Sequence, residues 1–317
     1  MAVSPDLHVV TGAFGYSGHH IASRLLERGV RVRTLTNSPR RESPLAGRIE
    51  VRPLEFGDPA ALCDSLRGAR VLYNTYWVRF NHTGRDIRFS HQDAVENTLR
   101  LFDAARKAGV ERLVHISITN PSENSPLEYF RGKAILERAL IESGLSHAIL
   151  RPAVLFGSSD ILVNNIAWAL RKFPVFGVFG DGRYKLQPIH VADFAQLAIE
   201  SGASVESGVI DAVGPESYEY RELVRTIAAI IGVRRRIVQV SPSLGLSITR
   251  VAGWFVGDVI LTREEIAGLM AGLLHTNSPP IGSIRLSDWA RSHRDSLGAH
   301  YASELARRRN RLHAFTT

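Results

Sequence analysis

Thr11-Gly12-Ala13-Phe14-Gly15-Tyr16-Ser17-Gly18 decides how the rest of the chain is read. An apolar run ending at Thr11 precedes it, and a helical pattern, Tyr16–Arg28, follows it and stops at Gly29. Three glycines at this spacing have separate physical uses. Gly12 lets the chain turn sharply out of a strand, Gly15 lets backbone approach a phosphate, and Gly18 lets the helix lie close on the strand. The first N–H groups of the helix would face the anion.

Working outward, apolar runs alternate with helical patterns. Strands are expected at His8–Thr11, Val30–Thr36, Ile49–Leu54, Val71–Tyr76, Arg112–Ser117 and His147–Leu150. Helices are expected at Ala60–Leu66 and at His91–Ala108, the latter closed by Gly109. This rhythm predicts an α/β fold with a doubly wound, parallel Rossmann sheet covered by helices on both faces. Ser125 and Glu128 read as a capping box with Pro126 at the first helical position, opening a helix to about Ser143 that Gly144 stops. Beyond Gly157 the pattern loosens. It retains a strand at Val209–Ala212 and a helix at Tyr220–Ile231. The Rossmann core is expected over 1–157. A smaller, mostly helical substrate-binding region is expected over 158–317, partly interleaved with the core.

Bulk properties narrow the classes. The 317 residues are 44% hydrophobic and 22% charged, which predicts a packed core. Cys63 is the only cysteine, so neither a disulfide framework nor a thiolate metal site is expected, and no metal ligand set stands out. No signal-peptide pattern opens the chain, and a cytoplasmic location is expected. The net charge of +8 comes almost wholly from arginine, because only Lys107, Lys133, Lys172 and Lys185 are lysines. The runs Arg234–Arg236 and Arg307–Arg309 lack interleaved aromatics, which argues against nucleic acid as a partner. The apolar stretch Leu244–Leu274 is broken by Arg250, Asp258, Arg263, Glu264 and Glu265, too often for a membrane span. It reads as amphipathic helices over a substrate cleft or, alternatively, as a peripheral membrane contact.

Two further patterns carry chemistry. Tyr129 and Lys133 are four apart on the Ser125–Ser143 helix and so share a face. An ammonium beside a phenol favours the phenolate, which suits the pair to acid/base work on a carbonyl or carbinol oxygen. Gly132 between them is costly in mid-helix, and close approach of a cofactor or substrate would explain it. Ser117 ends a strand at the carboxyl edge, where ligands bind in open α/β sheets, and Thr119 is a second candidate hydroxyl. After the second strand the chain reads Thr36-Asn37-Ser38-Pro39-Arg40-Arg41, with no acid for a ribose 2′-OH. Two arginines suit a 2′-phosphate, so NADP(H) is preferred and NAD(H) remains possible.

With these residues the chain resembles the extended or atypical short-chain dehydrogenase/reductase superfamily. The likeness rests on Thr11–Gly18, Ser117, the Tyr-x-x-x-Lys of Tyr129–Lys133, Arg151-Pro152 with Gly157, Gly180-Asp181-Gly182 and Pro188–Asp193. Asn97 falls where extended members carry a structural asparagine. Within the superfamily the chain is similar to the epimerase/dehydratase-like and NmrA-like branches and to the NADPH-binding accessory subunit of respiratory complex I. The resemblance implies a catalytic set of Ser117, Tyr129 and Lys133. It implies a cofactor held by Gly12, Phe14, Gly15, Tyr16, Gly18, Asn37, Arg40, Glu55, Thr75, Lys133 and Pro152. It also implies that Tyr73–Tyr76 line the cofactor, although Tyr73-Asn74-Thr75-Tyr76-Trp77 is bulkier than the family's usual small residues. The implied activity is hydride transfer between a nicotinamide and a carbonyl or hydroxyl of a small, lipophilic or aromatic substrate, in a monomer or homodimer. An NAD-dependent epimerase/dehydratase and a non-catalytic dinucleotide sensor or assembly factor are the alternatives.

Overall fold

The computed structural model describes residues 6–84 and 86–314. The first half runs β1 (Leu7–Thr11), α1 (Tyr16–Glu27), β2 (Arg31–Thr36), β3 (Glu50–Pro53), α2 (Pro59–Leu66) and β4 (Ala69–Asn74). It continues through β5 (His82–Thr83), β6 (Arg88–Phe89), α3 (His91–Lys107), β7 (Arg112–Ile116), α4 (Glu128–Glu142) and β8 (His147–Pro152). Then come β9 (Val154–Phe156), α5 (Leu162–Lys172), β10 (Val175–Phe179), β11 (Lys185–Leu186), β12 (Pro188–His190), α6 (Val191–Ala203) and β13 (Gly208–Ala212). The last elements are β14 (Tyr218–Glu219), α7 (Tyr220–Ile230), β15 (Arg236–Val240), α8 (Pro242–Val256), α9 (Arg263–Met270), α10 (Leu286–Ser292) and α11 (Glu304–Arg309).

Seven strands form one sheet in the order β13-β8-β7-β4-β1-β2-β3. The β3–β2, β2–β1, β1–β4, β4–β7 and β7–β8 pairings are all parallel. A parallel sheet covered by helices buries both faces of its strands, which is why β1, β4 and β7 read as nearly continuous apolar runs. The chain winds from β1 out to β3, then returns to β4 on the other side of β1. That reversal opens a crevice outside the carboxyl ends of β1 and β4, where open α/β sheets take ligands.

Two compact units divide the chain. The first comprises 1–151, 194–210 and 311–317; the second comprises 152–193 and 211–310. In the first, Val9, Leu35, Leu72, Leu113 and Ile149 from the strands meet Leu62, Leu101, Phe102, Leu136 and Leu140 from the helices. In the second, Val163, Ile166 and Leu170 of α5 pack with Leu223, Val224 and Ile227 of α7, and with Leu286 and Ala290 of α10. Its small sheets are β10–β15 and β9–β12, both parallel, and the antiparallel β11–β14.

Gly29, Gly109 and Gly144 adopt φ near +74° immediately after α1, α3 and α4, the left-handed stops read from the sequence. The expected capping box does not form. α4 begins at Glu128 with Leu127 as an N-cap that makes no side-chain bond. The Ser125 hydroxyl instead accepts from the Leu127 N–H, and the Glu128 carboxylate accepts from the Asn81 side-chain amide at 2.7 Å. Glu128 cannot reach back to the backbone while it holds the chain ahead of α3.

Tyr73 departs from the expected lining of the cofactor. It is fully buried, with its hydroxyl 3.3 Å from His8 Nδ1, and burial pushes its phenol well above the usual range. Gly202 of α6 makes the space: a Cβ there would lie 2.2 Å from the Tyr73 hydroxyl oxygen. We therefore expect Gly202→Ala to destabilise the protein by about 1–3 kcal/mol. Tyr73→Phe should recover part of that loss in a double-mutant cycle read by thermal unfolding. Additive effects would contradict the contact.

Candidate active site

The glycine turn leaves β1 at Thr11. Gly12 takes φ +65°, and its N–H donates to the Leu35 carbonyl at 2.9 Å, tying the turn to β2. The Gly15 N–H donates back to the Gly12 carbonyl at 2.8 Å. A Cβ on Gly18 would stand 2.4 Å from the Gly12 oxygen, so only glycine lets α1 lie this close to the turn. Gly15 offers α1 no capping side chain, and the first turn carries no acid. The positive end of the helix is thus uncompensated and turned toward whatever the loop holds. Phe14 beside it is buried, and Tyr16 opens α1 half-buried.

Hydroxyls and one amide fasten the crevice behind this turn. The Thr11 hydroxyl donates to the Asn74 side-chain oxygen at 3.3 Å and accepts from the Thr75 and Tyr76 N–H groups at 2.8 and 3.1 Å. The Thr75 hydroxyl donates to the Thr11 carbonyl. The Asn74 amide nitrogen donates to Nδ1 of His115, a completely buried imidazole that burial holds neutral, with Lys133 adding to the effect. Tyr76 accepts from the Asn97 side-chain amide at 3.1 Å.

Lys133 lies beneath these groups. It is fully buried on α4, and its Nζ donates to the Ile116 carbonyl at 2.6 Å at the end of β7. The ammonium also sits 4.2 Å from the centre of the Trp77 ring, in cation–π contact. Burial pushes the Lys133 pKa down to about 7, against the opposing charge of Glu137.

Trp77 joins the parts. Its indole stacks on His91 with centroids 5.9 Å apart, and Tyr129 meets both rings edge-on at 5.6 and 5.5 Å. The structure therefore brings Tyr129 and Lys133 to one indole, with Tyr129 half-buried beside it. It also revises the reason for Gly132. A Cβ there would meet Val95 at 2.9 Å and Trp77 at 3.1 Å, so α3 and the indole, both protein groups, require the glycine.

Ser117 is buried, and its hydroxyl donates to the Glu137 carboxylate. Glu137 is in turn clamped by Arg151 through Nε and Nη2. Reading from the sequence missed Glu137, although it stands four residues after Lys133, on the face that already carried Tyr129. Thr119 is fully buried two residues beyond Ser117, and Pro152 closes β8 as a buried residue.

At the end of β2, Asn37 and Arg40 are exposed, Arg41 is buried, and Glu55 after β3 is exposed. A second missed residue lies here. Arg311 donates to the Asn37 carbonyl at 3.3 Å, and the Glu42 N–H donates to the Leu312 carbonyl at 2.7 Å. Residues 311 and 312 are thus fastened along the loop that carries Arg40.

Residues 12–163 match the profile of a family described as NAD(P)H-binding. This stretch of the chain is thus similar to NAD(P)H-binding domains. It is 28% identical over 243 residues to the mitochondrial NADH dehydrogenase (ubiquinone) 1 alpha subcomplex subunit 9 of Arabidopsis thaliana, covering 73% of this chain and 59% of that protein. It is 25% identical over 281 residues to the ceramide reductase of Caulobacter vibrioides, covering 86% and 85%. Among solved structures, triphenylmethane reductase of Citrobacter sp. complexed with NADP(H) superposes with a TM-score of 0.70. That likeness covers 90% of this chain and 99% of the other at 17% identity, and bears on the fold alone. The glycine cradle, where a Cβ on Gly18 would collide with the Gly12 backbone and one on Gly15 would crowd it, suits the close backbone approach that a dinucleotide pyrophosphate needs.

A buried lysine with a lowered pKa leaves a thermodynamic signature. The unfolded chain binds a proton near pH 10, and the folded chain releases it near pH 7. Between those values the unfolded state carries more protons, so this group makes stability rise with pH, by up to about 1.4 kcal/mol per pH unit. Below pH 7 its cost is present in full. Lys133→Met should flatten the rise in urea unfolding measured from pH 7 to pH 10. An unchanged slope would contradict the burial.

Proposed function

We propose that the protein is an NAD(P)H-dependent reductase that converts a carbonyl of a small, apolar or aromatic substrate to an alcohol. The observation that carries this reading is the convergence of Tyr129 and the buried ammonium of Lys133 on Trp77, which directly follows the Thr75-Tyr76 pair bonded to Thr11 at the head of the glycine turn. Gly12, Gly15 and Gly18 would hold the pyrophosphate, and Arg40 with Asn37 would meet a 2′-phosphate. A nicotinamide dinucleotide bound there supplies the reducing equivalent.

Tyr129 gives its phenolic proton to the substrate oxygen as that oxygen gains negative charge. Lys133 favours the phenolate left behind, and its bond to the Ile116 carbonyl fixes the ammonium in place. Ser117, its own proton committed to Glu137, offers no donor to the carbonyl oxygen but can accept from the hydroxyl of the alcohol product. The rings of Trp77, His91 and Phe130 around Tyr129 favour a flat, apolar substrate over a charged one. The ceramide reductase among the relatives supports a carbonyl-reducing chemistry, and the NADH dehydrogenase subunit supports dinucleotide binding alone.

One observation favours a second reading, a dinucleotide-binding protein without turnover. Lys133 is covered by Trp77, and both Lys133 and Ser117 are satisfied by protein partners.

Tyr129→Phe separates the two. Under the reductase reading it lowers carbonyl-dependent NADPH oxidation at least about a hundredfold, while NADPH affinity in a fluorescence titration stays unchanged. Turnover equal to wild type would remove Tyr129 from the chemistry. Absence of turnover in both proteins, with intact binding, would favour the second reading. At the loop after β2, Arg40→Ala should weaken NADPH about tenfold and leave NADH unaffected; equal losses for both would argue against 2′-phosphate recognition.

A further inference from the structure

The helix α8 buries the wrong side of its sequence. Ser241 caps it by accepting from the Leu244 N–H, Pro242 opens it, and Gly257 closes it at φ +63°. Its buried positions are two glycines, and both are spatially required. A Cβ on Gly245 would lie 2.3 Å from the Phe179 ring, and one on Gly253 would lie 2.5 Å from the Asp258 carbonyl oxygen. Leu246 and Val256 are half-buried, but most of the large apolar side chains are exposed. Leu244, Ile248, Val251 and Phe255, at the i, i+4, i+7, i+11 spacing of one helical stripe, are 54%, 52%, 58% and 80% exposed. Trp254 beside them is 82% exposed. A stripe of this kind normally faces a core, and a contiguous apolar surface on a folded protein marks an interaction site.

We propose that this face seats in the headgroup boundary of an anionic lipid surface, with α8 lying in the membrane plane. The charge pattern selects that occupant. From Ile237 to Gly257 the chain has no aspartate, glutamate or lysine, and Arg250 is its only charged residue. Arg234, Arg235 and Arg236 directly precede the segment. The same segment of a second copy, packed on this one, would offer no acid to pair with Arg250. An anionic bilayer supplies both an apolar phase for the stripe and counter-charge for the guanidinium. Trp254 and Phe255, adjacent at one end, are the residue types that favour the boundary between headgroup and hydrocarbon. Fifteen helical residues reach only about 22 Å, and no described helix is long and apolar enough to cross a membrane, so the helix lies flat. This placement is independent of the reductase reading.

The test is flotation of the full chain with phosphatidylcholine vesicles, with and without phosphatidylglycerol. We expect the protein to float with the phosphatidylglycerol vesicles, to release as salt is raised, and to shift its tryptophan emission to the blue. The Trp254→Ser/Phe255→Ser variant should keep its far-ultraviolet circular dichroism and thermal midpoint, because both side chains are exposed. Its partitioning should fall about a hundredfold. Arg250→Glu should weaken binding to the anionic vesicles only, and Trp254→Phe should retain most of it. Failure of the wild type to float would overturn the proposal, as would flotation indifferent to the double variant. A concentration-dependent dimer in sedimentation that the double variant dissolves would overturn it too, and would assign the face to a second copy.

Discussion

An ammonium group taken out of water loses a hydration shell that nothing in a protein core replaces completely, and the effective penalty is several kcal/mol. Lys133 meets this penalty with three partners. The Ile116 carbonyl accepts one N–H, the Trp77 face lies 4.2 Å away, and Glu137 contributes charge from one helical turn on. These partners account for much of the local architecture. Trp77 can cover the ammonium only if it comes against α4, and it reaches α4 only because residue 132 has no side chain. Val95 of α3 presses on the same glycine, so α3, α4 and the segment after β4 are fixed together at the sheet's carboxyl edge. The lowered pKa is the part of the penalty left uncompensated.

The same edge is held from the other side by Thr11. One hydroxyl serves as donor to Asn74 and as acceptor for two backbone N–H groups, which couples the glycine turn to the residues leading into Trp77. A buried threonine with every lone pair and proton engaged leaves little room for substitution. The glycine turn and the aromatic cluster are therefore one rigid assembly, joined through Thr75 and Tyr76.

How much of this was legible depends on whether the determining contacts are local. The first half was readable because its signals are. Gly29, Gly109 and Gly144 end helices by their own backbone freedom, and buried parallel strands show as apolar runs. Tyr129 and Lys133 were readable because four residues on a helix fix a common face whatever surrounds it. The capping box failed because Glu128 had a distant competitor in Asn81. Gly132 was assigned to a ligand because Trp77, 55 residues earlier, could not be placed beside it from the sequence. Arg311 was invisible for the same reason: its partner, Asn37, lies 274 residues away in sequence. Beyond Gly157 the strands are two to five residues long and pair across long intervals, as β10 does with β15, so no period betrays them. In α8 the period was present, but it gave no indication that the glycine side would be the buried one.

Arg151 holds Glu137 through two nitrogens, and an ion-paired carboxylate can only accept. The hydroxyl proton between Ser117 and Glu137 must therefore come from Ser117. Its oxygen is left with lone pairs and no donor to turn toward a bound molecule. A carbonyl oxygen can only accept, so Ser117 in this arrangement gives it nothing, whereas an alcohol can donate to Ser117. Lys133 is likewise turned to the Ile116 carbonyl. In the proposed reduction Tyr129 remains the donor to the carbonyl oxygen, and Ser117 would receive the hydroxyl that reduction produces. Such an arrangement would bind an alcohol through Ser117 with a hydrogen bond that a ketone cannot make, so in the proposed reaction Ser117 would favour the product while the phenol at position 129 supplies the proton.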